Sequence, residues 1–227
     1  MPFRNREVDL SNNSIIAKNT ILLYIRMLVT LVISLYTSRM VLAILGQDDY
    51  GIYNVVGGVV VLFSFLTNAM TSSSQRFLNY YIGLKDDEAV SRVFNSVIIA
   101  HLSILVLVLI LSESIGLWFF ETQLNIPKDR MNAARWVYQM SVLATMINIM
   151  VVPYRASIIA SERMGAFAFI SIVEVVLKLL IVFVLSWGVI DKLVLYSILF
   201  SAVSGIVFFL YRIIARKRLL STHFSWA

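Results

Sequence analysis

Long apolar runs, separated by short polar connections, dominate the pattern of the chain. A run of about 20 apolar residues can cross the hydrocarbon core of a bilayer as a helix, in which the backbone satisfies its own hydrogen bonds. The runs are too long for strands, and sustained alternation of apolar and polar residues is lacking. The pattern predicts an all-α, polytopic membrane protein with a six-helix transmembrane bundle. Spans 1 to 6 are predicted at about 19–45, 50–80, 93–120, 131–154, 166–188 and 193–214.

The connections between the spans are short and polar, beginning with GQDD at 46–49. In the next connection, Asp86 and Asp87 are candidate N-caps for the helix that follows. Alternate connections differ in positive charge, and Lys and Arg accumulate in cytoplasmic loops. One side carries Arg4, Arg6, Lys18, Lys85, Arg92, Arg155, Arg163, Arg212, Arg216, Lys217 and Arg218, and the other carries Lys128, Arg130 and Lys192. This bias predicts that both termini are cytoplasmic.

The same reading divides the chain into three parts. Residues 1–18 are predicted to form a cytoplasmic N-terminal segment, without a cleavable signal pattern. Residues 19–214 are predicted to form the six-helix transmembrane lobe. The basic tail at 215–227, ARKRLLSTHFSWA, is expected to be a truncated cytoplasmic connector, because it ends without a stop-like polar tail.

Composition agrees with a membrane protein. Of the 227 residues, 59% are hydrophobic and 14% are charged, whereas a soluble domain is about half apolar and about a quarter charged. Cytoplasmic loops account for the formal net charge of +6, so we expect no nucleic-acid partner. The sequence has no cysteine, which excludes disulfides. It also carries no nucleophile elbow, zinc-protease motif or nucleotide-binding loop, so we expect neither an enzyme nor a bound cofactor or metal.

Spans 1 and 2 each carry a polar stripe along one helical face, where positions three and four apart align. The stripes comprise Asn19, Arg26, Thr30, Ser34 and Thr37 in span 1, and Tyr50, Asn54, Gly57, Asn68, Ser72, Gln75 and Asn79 in span 2. Small and hydroxylated residues in such stripes are typical of close helix packing. Larger amides are costly in lipid, so Asn54, Asn68 and Gln75 are equally consistent with packing and with a water-filled cavity.

Positive side chains outnumber negative ones within the spans. The charged positions are Arg26, Arg39, Arg76, Arg135 and Lys178, against Glu113 and Glu174. A charge at membrane depth costs about 2.5–3.5 kcal/mol on insertion scales and usually marks function. A long side chain near a helix end reaches the interface instead. Arg26 and Arg39 lie further from the span ends and are therefore candidate cavity residues. Arg76 and Arg135 lie near span ends, so each either faces a cavity or reaches the interface.

Glu174 and Lys178 are spaced i, i+4 near the centre of span 5, in the favourable order for an ion pair. The pair either makes the span insertable by mutual neutralisation or binds an ion, a proton or a substrate group. His101, within span 3, is either a satisfied buried histidine or a proton-linked switch.

Three runs of sequence occur in order over nearly the whole chain: SRMVLAILGQDDYGIYNVV, SSSQRFLNYYIG and VVPYRASIIASERMGAFAFISIVEVVLKL. Their distinctive elements are Arg39, Leu45-Gly46, Tyr50-Gly51, Arg76-Phe77, Pro153 and Ala160 through Met164. Together with six correctly spaced spans, these elements resemble the Wzx-like polysaccharide transporters of the MOP flippase superfamily, relatives of the MATE exporters and of the lipid II flippases.

The resemblance implies one lobe of a two-lobed transporter, with a second lobe in the same full-length chain or in trans. It implies a bacterial plasma (inner) membrane location among bilayer lipids. The implied cargo is undecaprenyl-pyrophosphate-linked oligosaccharide for surface polysaccharide or lipopolysaccharide synthesis, and an anionic headgroup fits the arginine excess. Two alternatives remain open: a cation-coupled exporter of the MATE kind, with Glu113 and Glu174 as ion ligands, and a non-transporting subunit or remnant.

Overall fold

The structure, a computed structural model, describes the backbone of residues 3–61, 65–84, 86–187 and 191–222. Side chains are described at residue 17 and over 19–60, 70–84, 88–187 and 191–215, together with residue 86. Within these ranges the fold is all-helical, as the apolar pattern predicts. The helices are α1 (Phe3–Val61), α2 (Phe65–Gly83), α3 (Asp87–Leu111), α4 (Leu117–Thr122), α5 (Met131–Ala160), α6 (Met164–Trp187) and α7 (Lys192–Thr222).

The GQDD connection turns the chain back on itself at Gly46. This glycine has φ 82° and ψ 171°, a backbone conformation that favours glycine, and it divides α1 into a first arm (3–45) and a second arm (47–61). The hydroxyls of Ser38 and Tyr50 lie 2.9 Å apart across the turn. A continuous helix would separate these residues by about 18 Å along its axis, so the two arms form a hairpin.

Five helical segments of the described part of the chain are long and apolar enough to cross a membrane. They are Asn19–Val60, Glu88–Thr122, Met131–Ala160, Met164–Trp187 and Lys192–Ala215. The first contains both arms of α1, and therefore predicted span 1 together with the start of predicted span 2. The remainder of predicted span 2 lies mainly in α2, which falls outside these segments because Ser, Thr, Asn and Gln dilute its apolar residues. The structure is thus compatible with a polytopic bundle of five to six long apolar helices.

Predicted span 3 corresponds to α3 and α4, which are joined end to end by a π-helical turn at Ser112–Gly116. The Ser112 carbonyl accepts a bond from the Leu117 amide within this turn and a second one from the Tyr138 hydroxyl, at 2.5 Å. A Cβ at position 116 would overlap that hydroxyl, so Gly116 admits the close approach of α5. At the start of α3, Asp86 accepts a 2.9 Å hydrogen bond from the Ala89 amide, which confirms its predicted capping role. The side chain of Asp87 lies outside the described residues.

Helix α5 occupies the centre of the bundle and packs against α1, α2, α3, α6 and α7. Its buried positions surround the helix rather than forming one stripe, as expected of a helix enclosed by others. Aromatic contacts extend the core to its neighbours, with Tyr154 packing edge-to-face on Phe94 and Phe208. The other face of each peripheral helix exposes large apolar side chains, as lipid contact requires.

The predicted topology places the Gly46 turn outside the cell and the connection between α2 and α3 inside. Cysteines introduced singly at the exposed positions Gln47 and Leu84 test it, because no native cysteine competes. In intact cells an impermeant thiol reagent is expected to label the position 47 variant and not the position 84 variant. Permeabilised cells provide the control, in which both are labelled. The reverse pattern in intact cells would show that the protein has the opposite orientation.

Candidate functional site

A polar cavity of about 440 Å³ opens between the second arm of α1, α5 and α7. Its polar lining comes from Tyr53, Asn54, Ser141, Thr145, Asn148 and Ser197. Gly57 and Gly58 also line it, and a Cβ at Gly57 would stand 3.7 Å from the Ser141 hydroxyl oxygen. The glycine pair therefore leaves room in a cavity whose lining mixes these uncharged hydrogen-bonding groups with apolar residues of α5 and α7.

A second, charged cavity of about 140 Å³ lies between α1, α6 and α7. Lys178 of α6 faces Ser34, Thr37 and Ser38 of the first arm of α1 across it. The Thr37 side-chain oxygen is buried and has no hydrogen-bond partner. The predicted polar stripe of span 1 therefore meets the predicted charged pair of span 5 at one place.

An aromatic wall of Tyr53, Tyr196 and Phe200 separates the two cavities. Tyr53 and Phe200 line both of them. The Tyr53 ring lies 4.7 Å from the Tyr196 ring and 6.2 Å from the Phe200 ring, centroid to centroid. A change in the packing of this wall would therefore alter the shape of both cavities.

The Glu174–Lys178 ion pair predicted from the i, i+4 spacing is present, with Lys178 Nζ 2.6 Å from Glu174 Oε1. The ammonium also lies 5.0 Å from the centre of the Phe200 ring. Each side chain is about one third exposed, at 32% and 31%. The pair thus neutralises itself at the edge of the charged cavity, and a role in binding an ion, a proton or a substrate group stays a prediction.

Arg26 packs against the start of α6. Its Nη1 donates a 3.3 Å hydrogen bond to the Ser171 hydroxyl, and its guanidinium lies 4.5 Å from the centre of the Phe167 ring. The Nε–H is buried and has no partner. Both recorded neighbours are uncharged, so the positive charge of Arg26 is not matched by either of them.

Arg155 is a second arginine in the same region, which the sequence pattern assigned only to cytoplasmic charge. Its guanidinium lies 5.6 Å from the centre of the Tyr211 ring, and its Nε–H is also buried without a partner. The buried Tyr211 hydroxyl interacts with both Arg155 and Ser171. Arg26, Ser171, Tyr211 and Arg155 therefore form a connected group, called here the arginine cluster. The sequence prediction missed Arg155 because predicted span 4 ends at residue 154, whereas α5 continues to Ala160.

The remaining predicted cavity residues are scattered. Asn54 lines the polar cavity, although its amide also donates a 2.8 Å bond to the Tyr50 carbonyl. Arg39 is exposed on the first arm of α1, and Gln75 is half-buried on α2. Arg76 is exposed and lines an open groove with the aromatic residues of α2. The side chain of Asn68 lies outside the described residues.

Arg130 joins three connections at the predicted outer end of the bundle. Its guanidinium bonds to Asp49, after the Gly46 turn, and lies 2.7 Å from Asp191, before α7. Asp191 also accepts a 3.0 Å bond from the Leu193 amide and so begins α7. Burial alone would lower the pKa of Arg130, but the two carboxylates raise it above its usual value, so the residue stays charged. This bridge joins residues far apart in the sequence and was not predicted.

Three other ionisable residues of the spans occupy distinct surroundings. His101 is fully buried; its Nδ1 lies 2.8 Å from the Val97 carbonyl, and its Nε2 has no partner. Glu113, in the π-helical turn, accepts a 3.3 Å bond from the Gln139 amide. Arg135 pairs with Glu121 at 2.7 Å on an exposed face. None of these three contacts the arginine cluster or either cavity in the part of the chain that the structure describes.

Within the described ranges, no group of three or more His, Asp or Glu side chains is close enough to hold a metal ion. Comparison of the chain with family models, curated proteins and solved structures gives no match. The candidate site is therefore defined by its own geometry: two cavities that share an aromatic wall, and an arginine cluster built from α1, α5, α6 and α7.

Proposed function

We propose that the chain is one half of a membrane transporter that translocates an anionic, lipid-linked oligosaccharide, in which the pyrophosphate group is drawn to the bundle by Arg26. The observation that carries the proposal is the position of Arg26, whose charge sits about two turns inside a membrane-spanning segment that begins at Asn19, among uncharged neighbours. Such a charge is tolerable only where water, a counter-charge or an anionic headgroup meets it.

Arginine suits this cargo because its planar fork matches two oxygens of a phosphate at once, whereas lysine offers a point charge. The polar cavity supplies hydroxyl and amide groups of the kind that exchange hydrogen bonds with a glycan. A second lobe, in the same polypeptide or in trans, completes the pathway in this proposal. The resemblance of the sequence to the Wzx-like transporters supports the same cargo.

The alternative of a cation-coupled exporter draws on Glu113, an exposed carboxylate within a π-helical turn, a feature frequent at functional sites. Glu174 lends it less support, because its charge is already neutralised by Lys178. An exporter of cations would also leave the charge of Arg26 unexplained, since that charge repels the cargo.

Arg26→Ala tests the proposal in the complete transporter, with translocation of the lipid-linked oligosaccharide measured in cells or proteoliposomes. A hydrogen bond to a charged group is worth about 1.5–3 kcal/mol, so we expect translocation to fall roughly ten- to a hundredfold at unchanged membrane abundance. Arg26→Lys should restore part of the activity, because it keeps the charge and loses the fork. Arg92→Ala, which removes an exposed arginine on the same predicted side, is the matched control and should be silent. Normal translocation by the Arg26→Ala variant would refute the role of Arg26.

A further inference from the structure

The arginine cluster has the features of a built anion site. We propose that Arg155 and Arg26 together bind a phosphate-type anion at the cytoplasmic end of the bundle, and that Ser171 and Tyr211 hold the two guanidinium groups in place. This inference rests on the proposed function, from which it takes the cargo. It assigns binding of the pyrophosphate group to Arg155 in addition to Arg26.

The four residues lie at one level of the bundle although they come from four helices. Arg155 is about one and a half turns before the end of α5 at Ala160, and Tyr211 is about one turn before the end of a membrane-spanning segment at Ala215. Ser171 is about two turns after the start of α6 at Met164. With Arg26 at a similar depth in the first span, all four lie on the side that the charge bias predicts to be cytoplasmic.

The charges of the cluster are not balanced. The carboxylate of Glu174 also acts on the Tyr211 hydroxyl, but it is paired with Lys178. Two guanidinium groups therefore share one neighbourhood, without a carboxylate of their own among the hydrogen bonds and ion pairs of the described residues. Placing two like charges together at membrane depth is unfavourable unless an anion joins them. A pyrophosphate, with more than one negative charge, provides that compensation.

The free donors point to the same ligand chemistry. The Nε–H of Arg26 and the Nε–H of Arg155 are both buried and unpartnered. A buried donor without a partner is costly, and such groups are rare in folded proteins. In side-on recognition a guanidinium presents Nε–H and one Nη–H to two oxygens of the same phosphate. The atoms left without partners are thus those that a bound phosphate uses.

The guanidinium groups are fixed before any ligand arrives. Arg26 stacks on Phe167 and bonds to Ser171, while Arg155 lies over the ring of Tyr211, which is 1% exposed. Such contacts reduce the conformational freedom lost on binding, which raises affinity for a matching anion. Tyr211 is accordingly a positioning residue, and the two arginines are the binding residues.

Direct binding to the purified full-length protein in neutral-lipid nanodiscs tests this assignment, with farnesyl pyrophosphate as the probe. We expect saturable binding, a higher unfolding temperature when the probe is bound, and affinity about tenfold lower in Arg155→Gln. Arg155→Lys should lie between the two, and Tyr211→Phe should weaken binding by a smaller factor. Arg163→Gln, an exposed arginine just beyond α5 on the same predicted side, is the control and should bind as the unmodified protein does.

Three further arms separate the possible anions and the possible failures. Inorganic pyrophosphate tests whether the headgroup alone binds. Nanodiscs containing phosphatidylglycerol test whether bulk anionic lipid occupies the same site. Complete loss of probe binding in the phosphatidylglycerol nanodiscs would overturn the assignment to pyrophosphate. Equal probe binding by Arg155→Gln and the unmodified protein would overturn the role of Arg155, even if Arg26→Ala abolished translocation. Probe binding that is lost in Arg155→Gln would uphold the site, even if no oligosaccharide were translocated. A melting temperature in the absence of probe shows whether each variant is folded, and Arg155→Lys decides the question if Arg155→Gln is not.

Discussion

Arg130→Ala is expected to lower the free energy of unfolding by about 2–4 kcal/mol, because it leaves two carboxylates close together without their shared counter-charge. The Asp49 side chain is 9% exposed, so its charge is poorly hydrated once the guanidinium is removed. The Asp191 side chain is 35% exposed, so water partly hydrates its charge. The loss of stability is therefore smaller than for a fully buried triad. Denaturant titration of the purified protein in micelles, followed by circular dichroism, measures the change.

The control for Arg130 is Arg92→Ala. Arg92 forms an i, i+4 pair with Glu88 in which the side chains are 68% and 88% exposed, and such a pair contributes at most about 0.5 kcal/mol. Asp49→Asn in the Arg130→Ala background should recover part of the loss, because it removes the isolated charge. Equal stability of the Arg130→Ala and Arg92→Ala variants would mean that the bridge contributes nothing to holding the three connections together.

Gly116→Ala is expected to cost about 2–4 kcal/mol, because the new methyl group occupies the place of the Tyr138 hydroxyl. Displacing that hydroxyl also breaks its hydrogen bond to the Ser112 carbonyl, which then keeps only the bond from the Leu117 amide. The ring of Tyr138 cannot move away freely, since it is stacked on Phe120, with centroids 5.2 Å apart. Unfolding titrations in micelles measure this change as well.

A double-mutant cycle identifies the cause. Tyr138→Phe removes the hydroxyl and should cost about 1–2 kcal/mol on its own. Combining it with Gly116→Ala should cost less than the sum of the two single changes, because the clash disappears with the hydroxyl. Gly205→Ala, in α7 with no atom within 4 Å of the added Cβ, is the control and should be neutral or stabilising by up to about 1 kcal/mol. Additive effects of Gly116→Ala and Tyr138→Phe would show that the clash does not account for the loss.

Local features were read correctly from the sequence because their physical causes act over a few residues. Apolar runs of sufficient length predict helices, since an unpaired backbone group is costly in lipid. Gly46 turns the chain because a neighbouring polar corner and a residue that tolerates positive φ coincide there. The cap at Asp86 and the ion pair of Glu174 with Lys178 depend on spacings of three and four residues, which the helix itself fixes.

The helix boundaries were predicted less well than the helices themselves. The π-helical turn at Ser112–Gly116 has no periodic signature in the sequence, and the Tyr138 hydroxyl that bonds to it comes from another helix. Predicted span 2 is divided between the second arm of α1 and α2, and the polar composition of α2 weakens its hydropathy signal. Orientation in the membrane stays a prediction from the charge bias alone.

By itself, the sequence determined that this is an all-helical membrane protein, where its first hairpin turns, and which residues carry charge into the spans. Only the tertiary structure decided which of those charges meet. Arg130 reaches Asp49 and Asp191 across separations of 81 and 61 residues, and Arg26 reaches Ser171 across 145. Such contacts depend on the rotation of each helix about its axis and on the neighbour it packs against, which the side-chain packing of the whole bundle sets. Arg155 looked like an ordinary cytoplasmic charge for the same reason, because its partner Tyr211 comes from another helix.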